Sequence, residues 1–287
     1  MPTGHSAARQ APLNLTVPSR ERPADAPSAV DPVAAFAGRR AVVEIVGRPD
    51  EPWRVDLIAA VTAQRPWQSG PLVSEARVGV KLPPAAVGGA TSMRLVADLS
   101  VRADGTLWAD VWFRNDIAMQ PGGGGARYAA RVVLDGREAL RTANLVQPHY
   151  TGWGRLLGVG RGGTPFLGTP LVRPDATYLA EAGAVARYDL SVGVAEPLLA
   201  RLRAAVAAPA WAVPLGSREV TQSMGTTGGR PDIGPATQAQ AAWLISGDPR
   251  AAAYAIGQAE TAGSIPWHFW DEAGGQATLL HGYAKYL

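Results

Sequence analysis

The sequence predicts an α+β protein, with an antiparallel β-sandwich across residues 33–192 followed by a short, incomplete, toroid-like α-helical region across 193–287. Three observations carry this. Between about 40 and 150 apolar and polar residues alternate with period two, the mark of strands with one buried face. Two Asp-Gly pairs, Asp104-Gly105 and Asp135-Gly136, each stand between such runs, and Asp-Gly supplies the positive φ that a tight hairpin needs. After about 195 the apolar period lengthens to 3.6, and Pro and Gly fall where helices start and stop.

Residues 1–32 are rich in Pro, Ala, Arg and Ser and have no apolar period. Such a stretch buries too little surface to offset its ordering entropy, so a flexible arm is expected. AVVEIV (41–46) and RVDLIAAV (54–61) are short apolar runs. In LVSEARVGV (72–80), Ala76, Val78 and Val80 oppose Glu75 and Arg77. In MRLVADLSV (93–101), Met93, Leu95, Ala97, Leu99 and Val101 share one face. TLWADVWF (106–113) follows the first Asp-Gly, and RYAARVVL (127–134) leads into the second. Strands joined by tight turns without intervening helices argue for antiparallel sheets in two layers.

Residues 114–126 hold four consecutive glycines and read as a connector, because no GK[ST] follows them to make a phosphate cradle. Residues 147–175 are rich in Gly and Pro and are expected to cross between layers. AEPLLARLRAAVAA (195–208) puts Leu198, Leu199, Leu202 and Val206 on one helical stripe, ended by Pro209. PATQAQAAWLIS (235–246) and PRAAAYAIGQAETA (249–262) predict an αα-hairpin, with Asp248-Pro249 starting the second helix and Gly263 ending it.

Of 287 residues, 47% are hydrophobic and 18% charged, which excludes a wholly disordered chain. The net charge of +3 is scattered without a Lys/Arg run, and Lys occurs only at 81 and 285, so nucleic acid is not expected as a partner. No cysteine is present, which removes disulfides and thiolate chemistry. The N-terminal residues lack the apolar core of a secretory signal, and no apolar run reaches the ~18 residues of a membrane span. No membrane partner is therefore expected. An extracellular or particle-associated location stays open. His5, His149, His268 and His281 show no metal-ligand spacing, and neither a metal nor a cofactor is expected.

The run SGPLVSEARVGVKL (69–82), then MRLVADLSVRADGTLWADVWFRND (93–116), resembles the sandwich domain of polysaccharide-lyase-like proteins, closest in style to exo-acting rhamnogalacturonan lyase-like proteins. TTGGRPDIGP (226–235) and the residues after it are similar to the entry into the (α/α) toroid that follows the sandwich in such proteins. HYTGW (149–153) adds a likeness to uncharacterised bacterial and prophage proteins of the same layout. The likeness spans roughly 65–272 without a diagnostic short motif. It implies a carbohydrate-binding or carbohydrate-processing protein acting on an acidic polysaccharide. A closed toroid needs many more helices than this chain supplies. A fragment, a truncated non-catalytic relative and copies that complete one another are all compatible with that. The alternative is a structural or interaction protein, such as a phage virion component, whose 1–32 arm holds neighbours or a second copy.

A uronate lyase neutralises a carboxylate, removes a proton from carbon and protonates a leaving oxygen. Two clusters hold suitable residue types. Arg230 and Asp232 flank Pro231 before a helix start, and with His268 they form the catalytic candidates. Trp267, Trp270 and Asp271 surround His268 and are substrate-binding candidates, as are His149, Tyr150, Trp153 and Arg155. The same residues can equally be plugs and caps: Asp232 can cap its helix, and the aromatics can fill a domain junction. Trp108, Asp110 and Trp112 share the outer face of 106–113. They can form a sugar-stacking platform, or be covered by another layer; the covered reading is preferred, because large aromatics mostly serve packing.

Overall fold

The computed structural model describes residues 32–47, 52–62, 66–164, 173–221, 231, 234, 236–263 and 269–278. Nearly all of the 1–32 arm thus lies outside the described residues. The chain is α+β with two antiparallel five-stranded sheets. It opens with α1 (Pro32–Phe36), β1 (Ala41–Val46), β2 (Trp53–Asp56), α2 (Leu57–Thr62), β3 (Gln68–Ser69) and β4 (Val73–Lys81). Then come β5 (Arg94–Arg102), β6 (Leu107–Asn115), β7 (Ala126–Leu134), β8 (Arg137–Arg141), β9 (Leu145–Gln147) and β10 (Thr151–Val159). The remainder is α3 (Ala176–Glu181), α4 (Glu196–Ala207), α5 (Gln238–Ser246), α6 (Pro249–Gly263), β11 (Phe269–Asp271) and β12 (Gln276–Thr278).

The first sheet has the order β2-β1-β7-β8, with β9 also pairing β7; the second has the order β10-β6-β5-β4-β3. Their inner faces share one core. Val43, Ile45, Val132 and Leu134 from the first sheet lie in the same buried cluster as Leu95, Leu99, Val111 and Phe113 from the second. Both Asp-Gly hairpins form. At the β7–β8 turn Asp135 has φ 47° and Gly136 φ 82°, the pair of left-handed conformations that a two-residue type I′ turn demands. The Asp135 carboxylate also accepts from Arg39 Nε at 2.9 Å and from the Arg40 backbone N–H at 2.9 Å.

Three segments differ from the sequence expectation, each for a local reason. RVDLIAAV does not stay extended: Asp56 Oδ1 accepts from the Ile58 and Ala59 backbone N–H groups and starts α2. TGWGRLLGV, expected as a crossing, is the nine-residue strand β10, paired with β6 over its whole length. Its glycines conceal the alternation. The helical region also contains a two-stranded hairpin, β11–β12.

The αα-hairpin of α5 and α6 is present. Thr237 caps α5 through a reciprocal pair with Gln240, and Gly247 closes it with φ 65°. The Asp248 backbone carbonyl and carboxylate receive the first N–H groups of α6. Leu199 and Leu202 of α4 pack with Ala239, Ala242, Ala251, Tyr254 and Ala255 in a second core. Ala and Gly let these helices approach closely: a methyl on Gly257 would lie 2.6 Å from the Trp211 ring. Among the described residues these helices form a small cluster and no closed toroid. No described helix is long and apolar enough to cross a membrane.

Candidate functional site

Alternation fixes what the second sheet shows to the outside. Leu107, Ala109, Val111 and Phe113 of β6 enter the core, so Trp108, Asp110, Trp112 and Arg114 stand on the opposite face. Cross-strand register lines these residues up with their neighbours in rows. One row is Arg77, Asp98, Asp110 and Leu156. The next is Gly79, Val96, Trp112 and Gly154. The third is Lys81, Arg94, Arg114 and Gly152.

The glycines of β10 fall opposite the largest outward side chains of β6: Gly158 opposite Trp108, Gly154 opposite Trp112, Gly152 opposite Arg114. At Gly154 this is a packing requirement, since an added methyl would lie 2.4 Å from the Trp112 ring. Trp112 therefore lies over the bare backbone of β10. The helical side then closes on this edge, where Arg155 donates to the Ala212 carbonyl at 2.6 Å.

Towards β4 the face stays open as a groove of ≈ 830 Å³, with Val96, Trp112 and the three rows as its floor and β11 along one end. The hairpin is docked by its backbone. The Trp270 N–H donates to the Asp116 carbonyl, and the Ala118 N–H donates to the Trp270 carbonyl, both at 3.0 Å. Glu272 pairs with Lys81 at 2.6 Å, and the Arg94 guanidinium sits 4.0 Å from the centre of the Trp270 ring.

Three cations abreast would repel one another. Asp116, 1% exposed, resolves this. Arg94 clasps it through Nε at 2.6 Å and Nη2 at 2.9 Å, and Arg114 donates from Nε at 2.7 Å. Burial works to raise the Asp116 carboxyl, but Arg94 and then Arg114 outweigh it and hold it below the ordinary carboxylate range. In the row four residues back along the strands the balance is reversed. Asp98 takes both bonds from Arg77, at 2.7 and 2.8 Å, and Asp110 stands directly opposite Asp98. Burial pushes the Asp110 carboxyl up. A hydrogen bond from Trp112 opposes that, and the negative Asp98 adds to it.

The residues predicted from sequence distribute unevenly. Trp270 lines the groove. Asp271 caps the hairpin turn, accepting from the Ala273 N–H at 3.0 Å. His149 and Tyr150 stack at 3.7 Å, and Tyr150 meets Phe269 of β11 edge-on at 4.8 Å, so this pair braces the hairpin. Burial lowers the His149 imidazole below its ordinary value. Trp153 is taken up by the core: 2% exposed, stacked on Phe113 at 4.5 Å and donating to the Tyr128 hydroxyl at 2.8 Å. Tyr128 donates onward to buried Gln147 at 2.5 Å. Arg155 serves the sheet–helix junction. Arg230, Asp232, Trp267 and His268 lie outside the described residues.

Sequence reasoning did not single out Lys81, Arg94, Arg114 or Asp116. Following the alternation of 106–113 three residues further would have put Arg114 and Asp116 beside Trp112. The connector reading of 114–126 hid them. That segment is well tied: Asn115 Nδ2 donates to the Gly124 carbonyl at 2.8 Å and the Pro148 carbonyl at 3.1 Å. Among the described residues no group of three or more His, Cys, Asp or Glu could hold a metal ion. No protein-family model, no curated protein and no solved structure matches this chain.

Proposed function

We infer that the two sheets form the β-sandwich expected from the sequence and that the groove on its outer face binds a polysaccharide. The observation that carries this reading is Trp112, its ring against the bare backbone of Gly154, in one row with Val96 and then Gly79 and with charged rows on both sides. A flat apolar strip with hydrogen-bonding groups along its edges suits a sugar ring, whose faces are apolar and whose rim carries hydroxyls. Trp270 at the hairpin end supplies a second aromatic along the same groove. A groove that is open along its length suits a chain better than a compact small molecule.

The reading is one of binding first. None of the described groove-lining residues is His or Tyr, so a lyase-like elimination would fall to His268 with Arg230 and Asp232. Titration calorimetry with a panel of soluble polysaccharides tests the binding. At least one polymer is expected to bind, and Trp112→Ala is expected to weaken it about tenfold or more, equivalent to ~1.4 kcal/mol, with the circular dichroism spectrum unchanged. Unchanged affinity in Trp112→Ala, or no binding across neutral, acidic and amphoteric polymers, contradicts the proposal.

A further inference from the structure

The groove has four cations and four carboxylates on its lining, but they are not evenly mixed. Around the third row Lys81, Arg94 and Arg114 face two carboxylates, Asp116 and Glu272. Around the first row Arg77 alone faces Asp98 and Asp110. One end of the groove floor therefore retains an unmatched positive charge and the other an unmatched negative charge. The Trp112 row lies between them. The two charged rows are four residues apart along the strands, about 13 Å at ~3.3 Å per residue.

The carriers of the two unmatched charges can be named. Arg114 uses Nε for Asp116, and among the described residues its two terminal nitrogens have no acceptor. Its side chain is 24% exposed. Asp110 lines the groove opposite Asp98; the Arg77 charge reaches it, but both Arg77 hydrogen bonds go to Asp98, and one cation serves two carboxylates. A half-buried charge that shares its counter-charge with a neighbour is under-compensated, and a ligand that supplies a further counter-charge gains from it on binding. A polyanion would satisfy Arg114 and be repelled by the Asp98–Asp110 row. A neutral chain would satisfy neither end.

We propose that the ligand is an amphoteric glycan, carrying a carboxylate on one sugar, held by Arg114, and a free ammonium on a nearby sugar, held by Asp110, with an uncharged sugar face on Trp112 between them. This rests on the reading of the groove as a glycan site and adds the ligand's charge pattern. It departs from a purely acidic polysaccharide, which fits only one end of the groove. Arg114 and Asp110 set specificity here.

The test uses the full chain at pH 6 and low salt. Four probes are titrated: a polymer of alternating glucuronic acid and glucosamine with free amino groups, its N-acetylated form, its carboxyl-reduced form, and a homopolymer of galacturonic acid. The free-amine polymer is expected to bind about tenfold tighter than the other three. Asp110→Asn is expected to erase the preference over the N-acetylated form and leave the preference over the carboxyl-reduced form. Arg114→Gln is expected to do the reverse. Since Arg114 also touches Asp116, the Asp110→Asn arm stands alone if Arg114→Gln does not fold. Equal binding of all four polymers, or tightest binding of the homopolymer, overturns the charge pattern while leaving the glycan site intact. A preference over the N-acetylated form that survives Asp110→Asn also overturns it. No binding of any probe overturns the glycan site itself.

Discussion

Gly154 and Trp112 are a single packing unit on two strands. The indole occupies the space that any side chain at 154 would need, with only 2.4 Å left for a methyl. Gly154→Ala must therefore tilt the ring off the sheet or push the strands apart. Overpacking of this kind costs about 1–3 kcal/mol. Urea unfolding of Gly154→Ala is expected to show a loss in that range, and its intrinsic fluorescence is expected to change as the indole environment opens. Equal stability and an identical spectrum would show that Trp112 is not seated as described. Asp116 is the other residue on which the face depends, because it lets three cations stand abreast. Neither role could be read at its own position in the sequence. A glycine inside an apolar strand reads as a break, and an aspartate after Arg-Asn reads as a turn. Both are explained only by the residue that register places opposite them.

At the scale of elements, what was legible was what local chemistry decides. Asp-Gly pairs made hairpins because left-handed residues are needed there, both Asp135 and Gly136 in one turn and Gly105 in the other. Asp248-Pro249 started α6 because its carboxylate and fixed φ are set up within one turn. β10 was not legible, because its outward positions are mostly glycines that match bulky partners on β6, and that matching is non-local. Three-residue strands such as β11 and β12 show too little alternation to register at all. The helical cluster offers a pH test of its packing. Tyr254, 5% exposed, donates to Glu219 at 2.5 Å. Burial first, then Glu219, pushes its phenol up to about 12. The folded state keeps the proton longer than the unfolded chain, whose Tyr value is ~10. The resulting stabilisation is complete below pH ~10 and is lost as pH rises towards 12. Helical circular dichroism is expected to weaken over that window, and Tyr254→Phe is expected to flatten the dependence. The same pH dependence in Tyr254→Phe would place the titration elsewhere.

Across the whole molecule, the helical cluster and the β11–β12 hairpin meet at the outer face of the second sheet, whose inner face packs on the first sheet. The helical side closes over β10 by way of Arg155 and Ala212. The β11–β12 hairpin clamps the far end by way of Trp270, Glu272 and the 116–118 backbone. What remains between them is the groove. Only part of this site was visible in the sequence. The aromatic pair at 108 and 112 was noted as a platform or a packing face, and the structure separates the two: Trp112 and Trp270 line the groove, whereas Trp108 carries the Arg102 guanidinium 4.6 Å from its ring centre. The charge rows emerge only when four strands are set in register. The most direct test of a glycan groove on this face is a ¹H–¹⁵N spectrum of the nine tryptophan indoles, assigned by single substitutions and followed during titration with the tightest-binding polysaccharide. Shifts are expected at Trp112 and Trp270 with Trp153 and Trp211 unmoved; shifts confined to Trp153 or Trp211, or none at Trp112, would rule out a glycan on this face.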